Sequence, residues 1–500
     1  MPKVWFRIAL ANFFIAAVMG VVLRYAFVEE ISWLKFRYFL HGHSHVAMLG
    51  WVYLALYALL MGAFLSEEQQ RSTFYRNVFL ASQVAVIGML ISFPIQGYAP
   101  WPIAFSTLHG LASYFFAWRF WRDIRGQSGL PALFVKAALL FMLFSTLALW
   151  AMPPIMLLGL QQKAIYYMTV QFYLHFQFNG WFAFAVLALF FQLLESRHIL
   201  GFGRTGGKVG SGKWKVGSGK WEVGSGKSEI GSGKSEVGSG KSEVGNRKGE
   251  IGRGKSEGGS GKRTFAAHSW FISDFRLRIP TSFVGTGLLK VASDLNSLRL
   301  ARLFFWLLAV STFFTYALAV AWAEPLPIVF ATNSLGVILQ LAAMAFFALL
   351  VIKSHRELHQ QLGGWGFLLI KIAFACFALK VVMQAAVVIP HIATVAYTIR
   401  NFVIGFIHLV LLGVVTQFIL GYAALNGVLS LRSRLSRLGL GLLLAGFFGS
   451  ELLLFLQGTL FWGAMGFLPY YYEGLFGVSL LMPAGVGVLL LGQYKPDADG

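Results

Sequence analysis

Twelve long apolar runs constrain the fold of this chain more than any other feature of its sequence. A helix that crosses a bilayer needs about 20 predominantly apolar residues. Runs of this kind occupy residues 5–27, 38–64, 76–97, 103–121, 132–158, 165–195, 300–323, 327–351, 366–389, 397–424, 437–461 and 469–493. Charged residues make up only 12% of the chain, whereas a soluble domain carries about 25%. The sequence therefore predicts an all-α, polytopic membrane protein with about twelve transmembrane helices.

Basic residues are concentrated in alternate short loops between these runs. They follow the second, fourth, eighth and tenth runs, and they are Arg71, Arg76, Arg119, Arg122, Arg125, Lys353, Arg356, Arg432, Arg434 and Arg437. Short loops rich in lysine and arginine lie on the cytoplasmic side of a membrane. The loop between the first two runs is an exception, with Arg24, Lys35 and Arg37. We expect a multi-pass protein of the inner (plasma) membrane with both termini in the cytoplasm.

Residues 199–298 separate two six-helix halves, which span residues 1–198 and 299–500. Much of this stretch repeats a seven-residue unit rich in glycine, serine and lysine, as in Val237-Gly238-Ser239-Gly240-Lys241. Each unit has one aliphatic residue, which is too little apolar surface to form a core, and Gly/Ser-rich segments behave as flexible linkers. We expect the stretch to be a basic, disordered cytoplasmic linker.

Seven of the eleven histidines lie in or beside the apolar runs, and they are His41, His43, His45, His109, His175, His391 and His408. Ionisable groups in hydrocarbon are costly and tend to be functional, and imidazole is a common ligand of metal ions and of haem iron. The expected orientation places all seven in the outer half of the membrane or at its outer surface. We expect His45, His175 and His408 to share one layer and to converge on one porphyrin-sized gap.

A His-x4-Gly unit occurs on the second, sixth and tenth runs, as His45–Gly50, His175–Gly180 and His408–Gly413. A glycine about one turn beyond a ligand allows either a flat macrocycle or another helix to approach closely. In a helix, His41 and His45 share one face and His43 points away. In an extended segment, all three histidines lie on one side. The sequence leaves both pairs of alternatives open.

These features resemble a known family of membrane proteins. Twelve helices with histidines on the second, sixth and tenth are similar to subunit I of the haem–copper oxidase superfamily, which includes nitric oxide reductases. The run His43-x-His45-x3-Leu49-Gly50-Trp51 looks like the His-x-His…Leu-Gly-Trp run of cbb3-type oxidases, where it lies on helix ten. An early His-x-His after the first helix also resembles the NnrS proteins. The resemblance covers both six-helix halves and leaves out residues 199–298.

The resemblance implies a b-type haem with His45 and His408 as axial ligands, and His175 as the histidine on the copper side. Arg400 precedes His408 by eight residues, so it is a candidate partner for a haem propionate, or else an interfacial arginine that reaches into water. Oxygen-reducing members carry a His-His pair on helix seven that residues 300–323 lack, so a complete binuclear centre is not expected. The remaining candidates are His43 for the cofactor and His41, His109 and His391 for a metal.

Other polar side chains lie inside the apolar runs. Lys380 and Glu451 can pair with one another or relay protons. Gln171, Gln177 and Asn179 surround His175 in the sequence, and their amides can orient its ring through hydrogen bonds.

We therefore expect an integral membrane haem-binding protein that works in electron transfer or in the handling of a diatomic gas, nitric oxide ahead of oxygen. Such a protein would be a haem-dependent oxidoreductase without a complete copper site, although copper remains a candidate cofactor. Its expected partners are the lipid bilayer, a periplasmic or membrane electron donor and a small diatomic gas, with no nucleic acid. The alternative is a copper or zinc binding or transport protein without haem, in which His41, His43, His45 and His175 are the ligands.

Overall fold

The computed structural model describes residues 1–199, 296–321 and 323–494. Within these ranges, eleven helices are long and apolar enough to cross a membrane. They are α1 (Pro2–Tyr25), α2 (Phe36–Phe64), α3 (Thr73–Gln96), α5 (Leu130–Leu157), α6 (Ala164–Ser196), α7 (Ser297–Ala321), α8 (Pro327–Gln361), α9 (Gly364–Ala386), α10 (Arg400–Leu425), α11 (Arg434–Trp462) and α12 (Tyr471–Leu491). One further long helix, α4 (Pro100–Asp123), has 24 residues.

The prediction of an all-α, polytopic membrane protein is confirmed, and each of the twelve apolar runs corresponds to one of these helices. The largest difference is at the end of α8, which continues to Gln361, well beyond residue 351. Helix α10 begins at Arg400, and the residues before it form a separate short helix, Pro390–Thr398. Nearly all of the predicted linker, residues 199–298, lies outside the described residues.

The helices repeat one packing arrangement three times along the chain. Helices α1, α5 and α9 pack along α2, α6 and α10, whereas α3 pairs with α4, α7 with α8 and α11 with α12. Helices α2, α6 and α10 are the most enclosed, because their apolar stretches are 89%, 83% and 67% buried, against at most 56% in the other eight candidate spans. They also touch each other: the indole Nε1 of Trp51 donates to Thr416 Oγ1 over 2.9 Å. These three form the centre of the bundle.

Each central helix changes from α to π geometry directly after its histidine. The π-helical segments are Val46–Tyr53 after His45, Phe176–Phe182 after His175, and Leu409–Thr416 after His408. Stretches of π-helix are rare and occur mostly at functional sites. The His-x4-Gly pattern therefore marks three equivalent places in the bundle.

The glycine of each His-x4-Gly unit lies inside the π-helical segment and makes room for the preceding helix. A Cβ at Gly180 would lie 2.7 Å from the Cβ of Phe141 in α5. A Cβ at Gly413 would lie 2.9 Å from Cys376 Sγ in α9, and one at Gly50 would lie 3.1 Å from the Cβ of Asn12 in α1. Of the two roles predicted for these glycines, the structure supports close approach of another helix.

Candidate functional site

The three histidines at the start of α2 lie on an α-helix, Phe36–His45, so His41 and His45 share a face and His43 points away. His45 Nδ1 lies 2.8 Å from the carbonyl oxygen of His41, and the His45 ring packs 4.3 Å from the ring of Phe93 in α3. Of the two predicted arrangements of this segment, the helical one is confirmed.

His43 faces α1 on the other side of α2. Its Nδ1 lies 2.9 Å from the carbonyl oxygen of Ala16, and because a carbonyl can only accept, the hydrogen of the neutral ring is on Nδ1. The lone pair of Nε2 is then free to bind a metal. Gly20 leaves space for the ring, since a Cβ there would lie 3.1 Å from His43 Cε1.

His43 lies close enough to His408 of α10 for the two rings to interact electrostatically. On its other side, His408 Nδ1 is 3.6 Å from Glu451 Oε1 of α11. The Arg24 guanidinium of α1 interacts electrostatically with both His408 and Glu451. We refer to His43, His408, Glu451 and Arg24 as the α2–α10 site. Although it lies within the bundle, the His408 side chain keeps 23% of its surface accessible, so space remains beside its ring.

A cavity of about 100 Å³ touches this site at Arg24 and is lined by none of His43, His408 and Glu451. Arg24 and Arg400 both line it, together with Asn401, Tyr471 and several aromatic rings. Arg400 also lies over the rings of Phe27 and Phe36, with 5.4 and 5.5 Å from its Cζ to the ring centres. The structure therefore places Arg400 in the same cavity as Arg24, and its predicted role as partner of a propionate stays a prediction.

His175 has a different environment, which we call the α6–α7 site and which consists of His175, Asn179 and Thr312. His175 Nε2 donates to the backbone carbonyl of Thr312 over 2.7 Å, and Asn179 Nδ2 lies 3.4 Å from His175 Nδ1. Asn179 thus orients the ring as predicted, whereas Gln177 donates to Ser145 Oγ instead. Because both ring nitrogens are engaged, His175 has no nitrogen left for a metal in this arrangement.

The remaining candidate histidines are dispersed. His109 of α4 is buried near His45, its Nε2 lacks a hydrogen-bond partner among the described residues, and its ring is 4.7 Å from that of Tyr53. His391 is exposed in the short helix before α10. Within the described ranges, no group of three His, Cys, Asp or Glu residues is placed to hold a metal ion.

The rings of His45, His175 and His408, which were expected to converge on one gap, each contact a different helix: Phe93 of α3, Thr312 of α7 and Glu451 of α11 respectively. The histidine of α2 that interacts electrostatically with His408 is His43, and the α-helix directs His45 to the other side of α2.

Lys380 and Glu451 do not pair with one another. Lys380 of α9 lies 5.9 Å from the ring centre of Phe377 and interacts electrostatically with His175, whereas Glu451 faces His408. Lys380 and Glu451 therefore interact with different histidines. Residue type and predicted depth in the membrane could not show which histidine each one would meet.

The sequence matches no protein-family model and no curated protein with which it was compared. The chemistry of the α2–α10 site fits a haem in its donor set: two imidazoles on facing helices are the axial ligands of many b-type haems, and two guanidinium groups nearby suit carboxylate side groups. A porphyrin is larger than the open cavity, so binding would require side chains that line the cavity to rotate.

Proposed function

We propose that this chain is an integral membrane haem-binding protein related to haem–copper oxidase subunit I, and that it works in electron transfer. The observation that carries the proposal is that His43 of α2 and His408 of α10 interact electrostatically, while the hydrogen bond from His43 Nδ1 to Ala16 leaves its Nε2 free as a ligand. Arg24 and Arg400 line the adjoining cavity and are the proposed partners of the propionates.

When bound, a haem of this kind supplies one-electron redox chemistry, and the protein tunes its potential through ligation and burial. His43 and His408 would hold the haem, and a haem held by two imidazoles would favour electron transfer over the binding of a gas. Handling of nitric oxide or oxygen would need a second metal centre or a displaced ligand. The full engagement of His175 gives no support to a copper site there.

We further propose that the protein lies in the inner membrane with both termini in the cytoplasm. The arginine- and lysine-rich loops after α2, α4, α8 and α10 support this orientation. The α2–α10 site is then near the periplasmic surface, and its electron donor is a periplasmic or membrane-bound redox partner.

The proposal is tested by an optical spectrum of the protein purified in detergent, oxidised and reduced, together with its iron and haem content. We expect one b-type haem per chain with the Soret and α bands of a six-coordinate, low-spin haem, unchanged by carbon monoxide. His43→Ala should lose the haem or leave it five-coordinate. His45→Ala is the matched control, since His45 lies on the same turn of α2 and faces α3; it should keep the wild-type spectrum.

Each other outcome changes the proposal in a defined way. A protein without a Soret band and without iron overturns it. Copper or zinc without porphyrin would support the metal-binding alternative. Loss of the haem in His45→Ala but not in His43→Ala would assign the ligand on α2 to His45, as the family resemblance implied.

A further inference from the structure

The two proposed axial ligands differ in the group that faces Nδ1. His43 Nδ1 donates to the backbone carbonyl of Ala16 over 2.9 Å. His408 Nδ1 instead faces the side chain of Glu451, with 3.6 Å between Nδ1 and Oε1. One imidazole therefore has a neutral carbonyl as its partner, and the other has a carboxyl group from α11.

The contact between His408 and Glu451 joins buried atoms that lack other partners. Among the described residues, neither His408 Nδ1 nor either carboxyl oxygen of Glu451 makes a hydrogen bond, and the Glu451 side chain is only 9% exposed. Buried polar atoms without hydrogen bonds are rare in folded proteins and need an explanation. A separation of 3.6 Å is too long for a hydrogen bond, but a movement of less than about 1 Å brings the two atoms within the range of a charge-assisted one.

The surrounding charges suit this bond. Arg24 interacts electrostatically with Glu451, and a positive charge near a buried carboxyl group favours its ionised form. Lys380, a buried lysine of α9, interacts electrostatically with His175 instead. Glu451 is the carboxyl group that contacts His408.

We propose that Glu451 is a positioning residue for His408, an inference that rests on the proposed haem function. Its carboxylate accepts a hydrogen bond from His408 Nδ1, which fixes the ring and directs Nε2 towards the haem. Histidine ligands commonly donate the other ring N–H to a carboxylate or carbonyl, and this bond raises the basicity of the ligand. His408 would then be the more basic of the two imidazoles that hold the haem, and the haem would have a lower midpoint potential than a pair of carbonyl-bound imidazoles would give.

The test is a redox titration and an electron paramagnetic resonance spectrum of the haem-loaded protein and its Glu451→Gln variant. The glutamine keeps the size of the side chain and an acceptor oxygen but removes the charge. We expect the variant to keep one haem per chain, with a raised midpoint potential and with its largest g value shifted upward, because His408 loses imidazolate character. Glu451→Asp, which keeps the charge on a shorter side chain, should fall between the two.

Glu195→Gln is the matched control, since Glu195 is a carboxyl group at the far end of α6 and should leave both quantities unchanged. Equal potentials and equal g values in wild type and Glu451→Gln overturn the inference while the haem function stands. A raised potential with unchanged g values would also overturn it, because the charge would then act through space and not through His408. A wild-type protein without haem overturns the proposed function and this inference together.

Discussion

His175 of the α6–α7 site and His408 of the α2–α10 site lie in the same local structure, but their rings contact different chemical groups. In both, a histidine precedes a π-helical segment whose glycine admits the neighbouring helix. His175 then meets a backbone carbonyl and an amide that together engage both of its nitrogens, whereas His408 meets a carboxyl group. In both sites this partner comes from the helix that follows the central one in the chain, which is α7 after α6 and α11 after α10. The central helix therefore provides the position of the imidazole, and α7 or α11 provides the group that its ring contacts.

Replacing His408 and His175 in turn should give the largest difference between the two sites. We expect His408→Ala to abolish stoichiometric haem binding, because it removes a ligand, and His175→Ala to retain it. The haem-to-protein ratio of the purified variants, from the absorbance of the pyridine adduct and total protein, measures the difference. If His175→Ala lost the haem while the protein remained folded, the two sites would not be chemically distinct as proposed.

The twelve helices and the shared face of His41 and His45 could be predicted from sequence, because both depend on local hydropathy and helical spacing. Which histidine of α2 faces α10 could not. His43 and His45 are separated by about 200° around the helix axis, so the answer depends on how α2 is rotated in the bundle. An amphipathic helix reveals its rotation through its polar face, but the apolar stretch of α2 is 89% buried and has no such face.

The residues that complete the α2–α10 site were equally difficult to predict as a group. Arg24 lies in the first helix and Glu451 in the eleventh, so their proximity depends on the closure of the ring of helices, where α12 packs against α1. Hydropathy identified Glu451 as a buried acid and left Lys380 as an equally reasonable partner. The π-helical segments have no signal in hydropathy and were not predicted, although each directly follows the histidine of a His-x4-Gly unit.

The glycines that follow His175 and His408 by five residues, Gly180 and Gly413, offer a second test, which measures the stability of the protein. Gly180→Ala should destabilise the protein by about 1–3 kcal/mol through overpacking, because the clash is with the Cβ of Phe141, an atom that nearly every residue has. Gly413→Ala clashes with Cys376 Sγ and equally with Phe447 Cζ, both 2.9 Å from the added Cβ, so the double variant Gly413→Ala/Cys376→Ala should recover only part of the loss. Thermal unfolding in detergent measures both. A double variant no more stable than Gly413→Ala would show that Cys376 is not the obstacle.

Loss of the hydrogen bond between the central helices α2 and α10 should destabilise the protein less than the glycine substitutions do. Thr416→Val removes the acceptor of the Trp51 indole hydrogen bond while it preserves the shape of the side chain, so we expect a loss of about 1 kcal/mol. Haem content should be unchanged, because the bond holds α2 against α10 without contributing a ligand. A haem-depleted Thr416→Val variant would mean that this bond sets the spacing of His43 and His408.

Thr312→Val should have the smallest effect and contrasts most directly with Glu451→Gln. Both substitutions alter the residue of α7 or α11 that faces a central histidine. At the α6–α7 site, however, His175 bonds to the backbone carbonyl of Thr312, and the hydroxyl donates within α7 to the carbonyl of Leu308 over 2.9 Å. Valine removes only this local bond, so stability should change by no more than about 0.5 kcal/mol, and the haem spectrum and midpoint potential should match wild type.

Because a backbone partner cannot be altered by a side-chain substitution, the α6–α7 contact is fixed by the fold, whereas the α2–α10 contact depends on the side chain at position 451. A shift of midpoint potential in Thr312→Val similar to that in Glu451→Gln would remove this distinction.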